Sequence, residues 1–203
     1  MSGLAAGIRL AYYDKKVLIV EKHALPGGLN SYYRRKGRIF DVGLHAMTNY
    51  VDRKQRMSPL NKLLRQLKLK WNDLHLVPQK KSAIQFPQQK LYFSNDIQLL
   101  ENEIASHFPD QIDGFKKLVS HIQNFDSLSL DKDSFISSRE VLGSFLSNPL
   151  LVDMILCPLM YYGSAWEKDM DFGQFSIMFQ SIFLEGFCRP DIGVIQIINL
   201  LTE

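Results

Sequence analysis

The residues most able to do chemistry lie close together near the start of the chain. Gly3 sits at the head of an apolar run from Met1 to Tyr13, Glu21 closes the run Val17-Leu18-Ile19-Val20, and Gly27 and Gly28 follow Pro26. Glycines at a turn let backbone N–H groups come close to a phosphate, and the start of a helix favours the negative charge it carries. An acid at the end of a strand accepts hydrogen bonds from ribose hydroxyls. The 18-residue step from Gly3 to Glu21 is near the spacing that such a grip on a nucleotide uses. The same residues also describe a plainer object, a buried helix packed on a strand that ends in a solvated glutamate.

The elements that must position these groups can be read locally. Met1 to Tyr13, made of small and aliphatic residues, predicts a helix with no N-cap before it. Val17 to Val20 is a continuous β-branched and aliphatic run, which predicts a strand buried on both faces of a parallel sheet. Pro26-Gly27-Gly28 predicts a turn, and Tyr32 to Arg35 with Arg38 to Val42 predicts a hairpin across Lys36-Gly37. Helix, short link, buried strand and terminal acid make up the second half of a βαβ dinucleotide-binding unit. Gly3 stands where the last glycine of G-x-G-x-x-G belongs, with Met1 and Ser2 as the two residues before it. The first strand and the first two glycines precede Met1 in such a motif, so the chain reads as N-terminally truncated.

Val17 to Gly28 (Val-Leu-Ile-Val-Glu-Lys-His-Ala-Leu-Pro-Gly-Gly) and Gly37 to His45 (Gly-Arg-Ile-Phe-Asp-Val-Gly-Leu-His) together resemble the flavoprotein superfamily of amine oxidases and carotenoid desaturases. The branch they resemble most is that of phytoene desaturases, carotenoid isomerases and retinol saturases. The resemblance implies FAD as cofactor. Glu21 would take the adenosine ribose, Gly27 and Gly28 would lie against the cofactor with Gly3 at the helix start, and Gly43 and His45 would lie beside the isoalloxazine ring. Asp41 would either touch the cofactor or brace its turn. Leu29 stands where other members carry an arginine, which leaves Arg34 or Arg35 to supply a positive contact to the phosphates. The resemblance is specific over Met1 to Asn49 and diffuse beyond, and members of this length class imply that the C-terminus is cut as well.

The implied fold class is α/β: a partial Rossmann-like FAD-binding domain, its first strand missing, with an α+β substrate or cap region. The expected division is residues 1–50 for the cofactor domain, 51–192 for the cap region, and 193–203 for the start of a helix returning to the cofactor domain. After Asn49 the pattern predicts a basic amphipathic helix over Leu60 to Trp71. Short strands follow at Leu74 to Val77, Ala83 to Phe86 and Lys90 to Phe93, expected to share a second, antiparallel sheet. Helices are predicted over Asp96 to His107, Asp110 to Phe125, Ser138 to Phe145, Pro149 to Tyr161, Asp171 to Phe187 and Gly193 to Leu201. Leu60, Leu63, Leu64 and Leu67 share one helical face among lysines and arginines. That face suits packing on a core, the commoner use of an amphipathic helix, or else a peripheral membrane contact. The methionines and aromatics from Met154 to Phe187 suit either a long apolar tunnel or an ordinary helical core. Asp171 is placed to cap the helix that follows it, beside Glu167 and Asp169.

With 203 residues, 46% of them hydrophobic, the chain can bury a real core. A net charge of +3 is too mild to point to a nucleic acid. Cys157 and Cys188 have no second ligand at metal spacing and read as reduced core thiols, and no metal site is expected. The start shows no basic-then-apolar stretch, so the expected location is cytoplasmic, with membrane association through the basic helix. The expected function is that of a fragment of an FAD-dependent oxidoreductase. Its substrate would be an apolar polyene or isoprenoid whose double bonds are desaturated, saturated or isomerised. An amine-oxidase-like flavoenzyme and a truncated non-catalytic remnant are the alternatives. No catalytic base is assigned.

Overall fold

The computed structural model describes residues 1–43, 46–51, 54–55, 57–126, 135–161 and 166–203. In chain order the first elements are α1 (Ser2–Ala11), β1 (Tyr32–Arg35), β2 (Arg38–Asp41), α2 (Pro59–Leu67), β3 (Leu76–Pro78), β4 (Ser82–Gln85) and β5 (Lys90–Phe93). Next come α3 (Ile97–His107), α4 (Ile112–Asn124), α5 (Ser138–Phe145), α6 (Pro149–Met160), α7 (Phe172–Phe179), β6 (Cys188–Pro190) and α8 (Ile195–Thr202). The contacts divide them into one compact unit of residues 1–78 with 187–203 and another of residues 79–186.

In the first unit, α1 forms where the sequence places it. Its buried Gly7 lets Ile19 close on the helix, since a Cβ there would lie 2.6 Å from Ile19 Cδ1 and 3.5 Å from Val17 Cγ1. The segment Val17 to Val20 corrects an expectation: it belongs to no strand, and among the described residues no strand pairs with it. Its exposures alternate, at 39, 86, 45 and 83% for Val17, Leu18, Ile19 and Val20. Val17 and Ile19 therefore turn toward α1 while Leu18 and Val20 face solvent. A parallel strand exists only when neighbours on either side take its N–H and C=O groups, and β-propensity cannot provide those neighbours.

The hairpin forms as expected, with Tyr33 opposite Phe40 and Arg35 opposite Arg38. Its two-residue turn carries Lys36 at φ 50° and Gly37 at φ 75°. Positive φ at both central positions gives the twist that suits a tight hairpin, and glycine takes it without strain.

The basic helix α2 starts on Ser58, whose hydroxyl accepts from the Asn61 N–H at 3.4 Å, and on Pro59. Leu60, Leu64 and Leu67 are buried with Leu74, Ile197 and Leu201, against Leu4, Ala5 and Ile8 of α1. Of the two readings of its apolar face, core packing is the one realised. These three leucines are not offered to a lipid surface, and Leu63 is left half exposed.

The single second sheet expected from the short strands is also corrected. β4 pairs with β5, but β3 pairs with β6 through Leu76 opposite Pro190 and Pro78 opposite Cys188. β6 lies just beyond the end of an expected helix, in a stretch between two expected helices where no strand was expected. Here α7 passes into a five-residue π-helical turn, Gln180–Leu184, and the helix stops before Gly186 at φ 90°. A strand of three residues has no local signature, and its partner lies more than a hundred positions away in sequence.

The second unit holds the hairpin β4–β5 and the helices α3 to α7. Its helix starts are legible: Asp96 accepts from the Gln98 N–H, and Asp171 from the N–H groups of Gly173 and Gln174. Asp169 receives the Ser137 hydroxyl at 2.6 Å and the Arg139 N–H at 3.0 Å, which bolts the start of α5 in place. Phe172, Phe175, Phe179 and Phe183 are buried, with successive ring centroids 5.7, 5.8 and 5.0 Å apart. This spacing along one helical face, together with Phe115, makes these rings an ordinary close-packed core.

Candidate functional site

The best-formed part of the candidate site is the double-glycine turn. Gly27 has φ 119° and Gly28 φ 61°, and a short 3-10 turn, Gly28–Asn30, follows. Both conformations are strained for any side chain with a Cβ. Gly27 is also packed tight: a Cβ would lie 3.0 Å from the Asn30 carbonyl oxygen and 3.0 Å from Ile198 Cδ1 of α8. Gly28 differs in being solvent-facing, with no heavy atom within 4 Å of an ideal Cβ.

Gly43 docks on that turn. A Cβ on it would strike the Leu29 carbonyl and lie 3.0 Å from Asn30 Oδ1, and Val42 N–H donates to the Ser31 carbonyl at 2.9 Å. The structure thus brings Gly27, Gly28 and Gly43 to one place, although Gly43 is separated from the other two by the whole hairpin.

Asp41 is the residue that secures this arrangement, and it does so by bracing. Its side chain is 2% exposed. Oδ1 accepts the Val194 N–H at 3.0 Å, and Oδ2 lies 2.9 Å from the Arg189 guanidinium. The carboxylate ties the end of β2 to the start of α8, whose Ile198 in turn abuts Gly27. Arg189 and Val194 carry no local signal for this role, because 153 positions separate Asp41 from Val194.

Two other predicted residues, Gly3 and Glu21, are exposed. Gly3 lies exposed in the first turn of α1, with open space beside it. That helix start has no side-chain cap and no acidic residue in its first turn. Glu21 is exposed and its Oε1 accepts the His23 N–H at 2.9 Å, while His23 Nδ1 lies 3.2 Å from the Leu25 N. Among the described residues no hydrogen bond links Glu21 to Gly3, Gly27 or Gly28. His45 lies outside the described residues. Arg34 and Arg35 are exposed on β1.

These groups are chemically suited to a nucleotide diphosphate. An acid-free, uncapped helix start next to a glycine without neighbours can accept phosphate charge, and an exposed carboxylate can accept ribose hydroxyls. The turn at Gly28 leaves its backbone open to a flat or charged ligand. Cys188 is buried, and burial pushes its thiol up to about 12, which keeps it neutral and unreactive.

The second unit has a concavity of its own. An open cleft of about 460 Å³ is lined by Phe86, Leu156, Cys157, Met160 and Tyr161, with the Arg139–Asp153 ion pair (2.7 Å) at its side. Arg139 also donates twice to the Lys168 carbonyl, so each of its three guanidinium nitrogens has an acceptor.

Comparison with known proteins supports the dinucleotide reading of the first residues. Residues 1–67 match the NAD(P)-binding Rossmann-like domain. The chain is 28% identical over 155 residues to the chloroplastic prolycopene isomerase of Daucus carota, covering 74% of this chain and 24% of that protein. It is 25% identical over 154 residues to prolycopene isomerase 1 of an Oncidium hybrid cultivar, covering 74% and 26%. It is 34% identical over 77 residues to the all-trans-retinol 13,14-reductase of Danio rerio, covering 36% and 12%. The chain spans about a quarter of the length of the isomerases it matches. The similarity is to the carotenoid and retinol oxidoreductase branch, the one resembled by Val17–Gly28 and Gly37–His45. Among the described residues no helix is long and apolar enough to cross a membrane.

Proposed function

We propose, with similarity to carotenoid isomerases and a retinol reductase as the premise, that this chain is the part of an FAD-dependent oxidoreductase that carries the second half of its nucleotide grip. The substrate is an apolar polyene or isoprenoid, and the reaction is desaturation, saturation or isomerisation of its double bonds. One observation carries the proposal: the Gly27-Gly28 turn, left-handed at both residues, is held on Gly43 by a hairpin whose Asp41 is anchored at α8. That is a rigid wall with a bare backbone patch, the surface a large flat cofactor requires.

In this reading Gly3 and the start of α1 take the pyrophosphate charge, Glu21 takes the adenosine ribose, and Gly27, Gly28 and Gly43 lie against the cofactor with His45 beside its ring. Bound FAD supplies the electron-transfer chemistry, and the protein supplies orientation and exclusion of water. Asp41 contributes by fixing the wall. The unpaired edges of Val17 to Val20 have a consequence for the chain in isolation. With no neighbouring strand among the described residues, the helix start and Glu21 lack the sheet that would align them on one ligand, so the 203-residue chain alone binds FAD weakly or not at all.

Absorption spectra test both statements. The chain extended upstream by an aliphatic strand and a Gly-x-Gly turn is expected to retain flavin, and Gly28→Val in that protein to lose most of it. An extended protein that stays colourless when refolded with FAD would refute the flavin assignment. A yellow 203-residue chain with stoichiometric flavin would refute the claim about the isolated chain.

A further inference from the structure

The hairpin β1–β2 has a second surface, which the proposed flavin contacts at Gly27, Gly28 and Gly43 do not involve. Arg34, Arg35, Lys36 and Arg38 crowd its tip, all of them exposed, and no acidic residue lies between Lys22 and Phe40. Among the described residues none of these four cations has a carboxylate partner. The register sorts the side chains by face. Tyr33 pairs with Phe40 and Arg35 with Arg38, so alternation puts all four on the face opposite buried Asp41. The two rings stack at 5.1 Å and 11° and remain 49% and 39% exposed, with Val42 at 44% two residues further along the same face. Arg35 and Arg38 are like charges directly opposite each other, an arrangement that works against the hairpin's own stability.

We infer that this face is a docking surface for an anionic lipid bilayer, and it does not depend on whether the chain binds a flavin. Complementarity of charge and polarity selects the occupant. Arg35 and Arg38 on this face, with Lys36 at the turn, are drawn to acidic headgroups, and Tyr33 and Phe40 next to them fit the headgroup–acyl boundary, where amphipathic rings settle. The cations are at the tip and the apolar residues nearer the body, so the hairpin lies along the surface and does not plunge into it. A bilayer also relieves the Arg35–Arg38 repulsion by placing lipid phosphates and carboxylates beside both. The helix α2, whose apolar face offered a lipid contact as the less common alternative, has committed Leu60, Leu64 and Leu67 to the core.

Sedimentation of the 203-residue chain with vesicles tests this. Binding is expected to vesicles of phosphatidylcholine mixed with phosphatidylserine, to be absent with phosphatidylcholine alone, and to fall steeply as salt is added. Arg35→Gln with Arg38→Gln is expected to weaken binding roughly thirtyfold, from about fivefold per cation near an acidic leaflet. Lys62→Gln with Arg65→Gln on α2 removes the same net charge elsewhere and is expected to leave most of the binding. Both pairs are exposed, and circular dichroism confirms that each variant folds. Equal binding to neutral vesicles, equal loss from the α2 pair, or displacement of the vesicles by a short RNA at equal charge would each overturn the assignment.

Discussion

Two stretches of the first unit invite comparison. Val17 to Val20 is wholly β-branched and aliphatic and forms no strand, whereas Tyr32 to Asp41, loaded with cations, forms a regular ladder. The difference lies in where the partner comes from. A hairpin brings its own partner through a two-residue turn, and Lys36-Gly37 adopts the positive φ values that turn requires. A parallel strand depends on segments far away in sequence, so the same propensity leaves Leu18 and Val20 more than four-fifths exposed. The second unit is the opposite extreme. Its phenylalanines from Phe172 to Phe183 find each other along successive turns and are almost completely buried.

This contrast can be sharpened or broken by measurement. The largest effect is expected in the second unit, where Phe175→Ala should destabilise by about 3–5 kcal/mol in urea unfolding, because a fully enclosed ring leaves a cavity. A loss below about 1 kcal/mol would mean that this core is not close-packed. Asp41→Ala comes next, at about 2–3 kcal/mol, since it strands the Val194 N–H and unpairs Arg189. Asp41→Asn should recover part of that through the retained acceptor. Gly27→Ala should destabilise by about 1–3 kcal/mol, from the left-handed backbone and the contacts with Asn30 and Ile198.

A pH titration probes Cys188. Its folded thiol is raised to about 12 by burial, so the neutral form stabilises the fold below the ordinary thiol range near pH 9. That contribution is lost as pH rises from there through about 12, and Cys188→Ser should flatten the alkaline limb of the stability curve. The smallest effect belongs to the exposed segment. Leu18→Gln should change stability by less than about 0.5 kcal/mol, and the amides of residues 17–20 should exchange with deuterium far faster than those of β1 and β2. Protection there equal to the hairpin's would show that the segment is paired and would dissolve the comparison.

Legibility followed the range of the interaction that decides each feature. Helix starts at Asp96 and Asp171, the turn at Pro26-Gly27-Gly28 and the Lys36-Gly37 hairpin were all readable, because the groups that fix them lie within a few residues. The α2 leucines and the aromatic third were readable as apolar faces, but what covers them was not. β6 was missed, and β3 was assigned to the wrong partner, because a three-residue strand is defined by pairing alone. In the candidate site, Gly3 and Glu21 were suggested by spacing and Gly27, Gly28 and Gly43 by the family resemblance, while the brace of Asp41 on Arg189 and Val194 had no sequence signal.

The sequence by itself determined the local chemistry of this protein: which residues turn, cap and carry charge, and which motif could face a nucleotide. Only the tertiary structure decided which apolar faces are spent inside, that Asp41 holds a wall together, and that an apolar run remains half bare. The reason is physical. Backbone conformation and capping are settled by neighbours along the chain, whereas burial and ladder hydrogen bonds need a second surface, and only folding shows whether that surface is present.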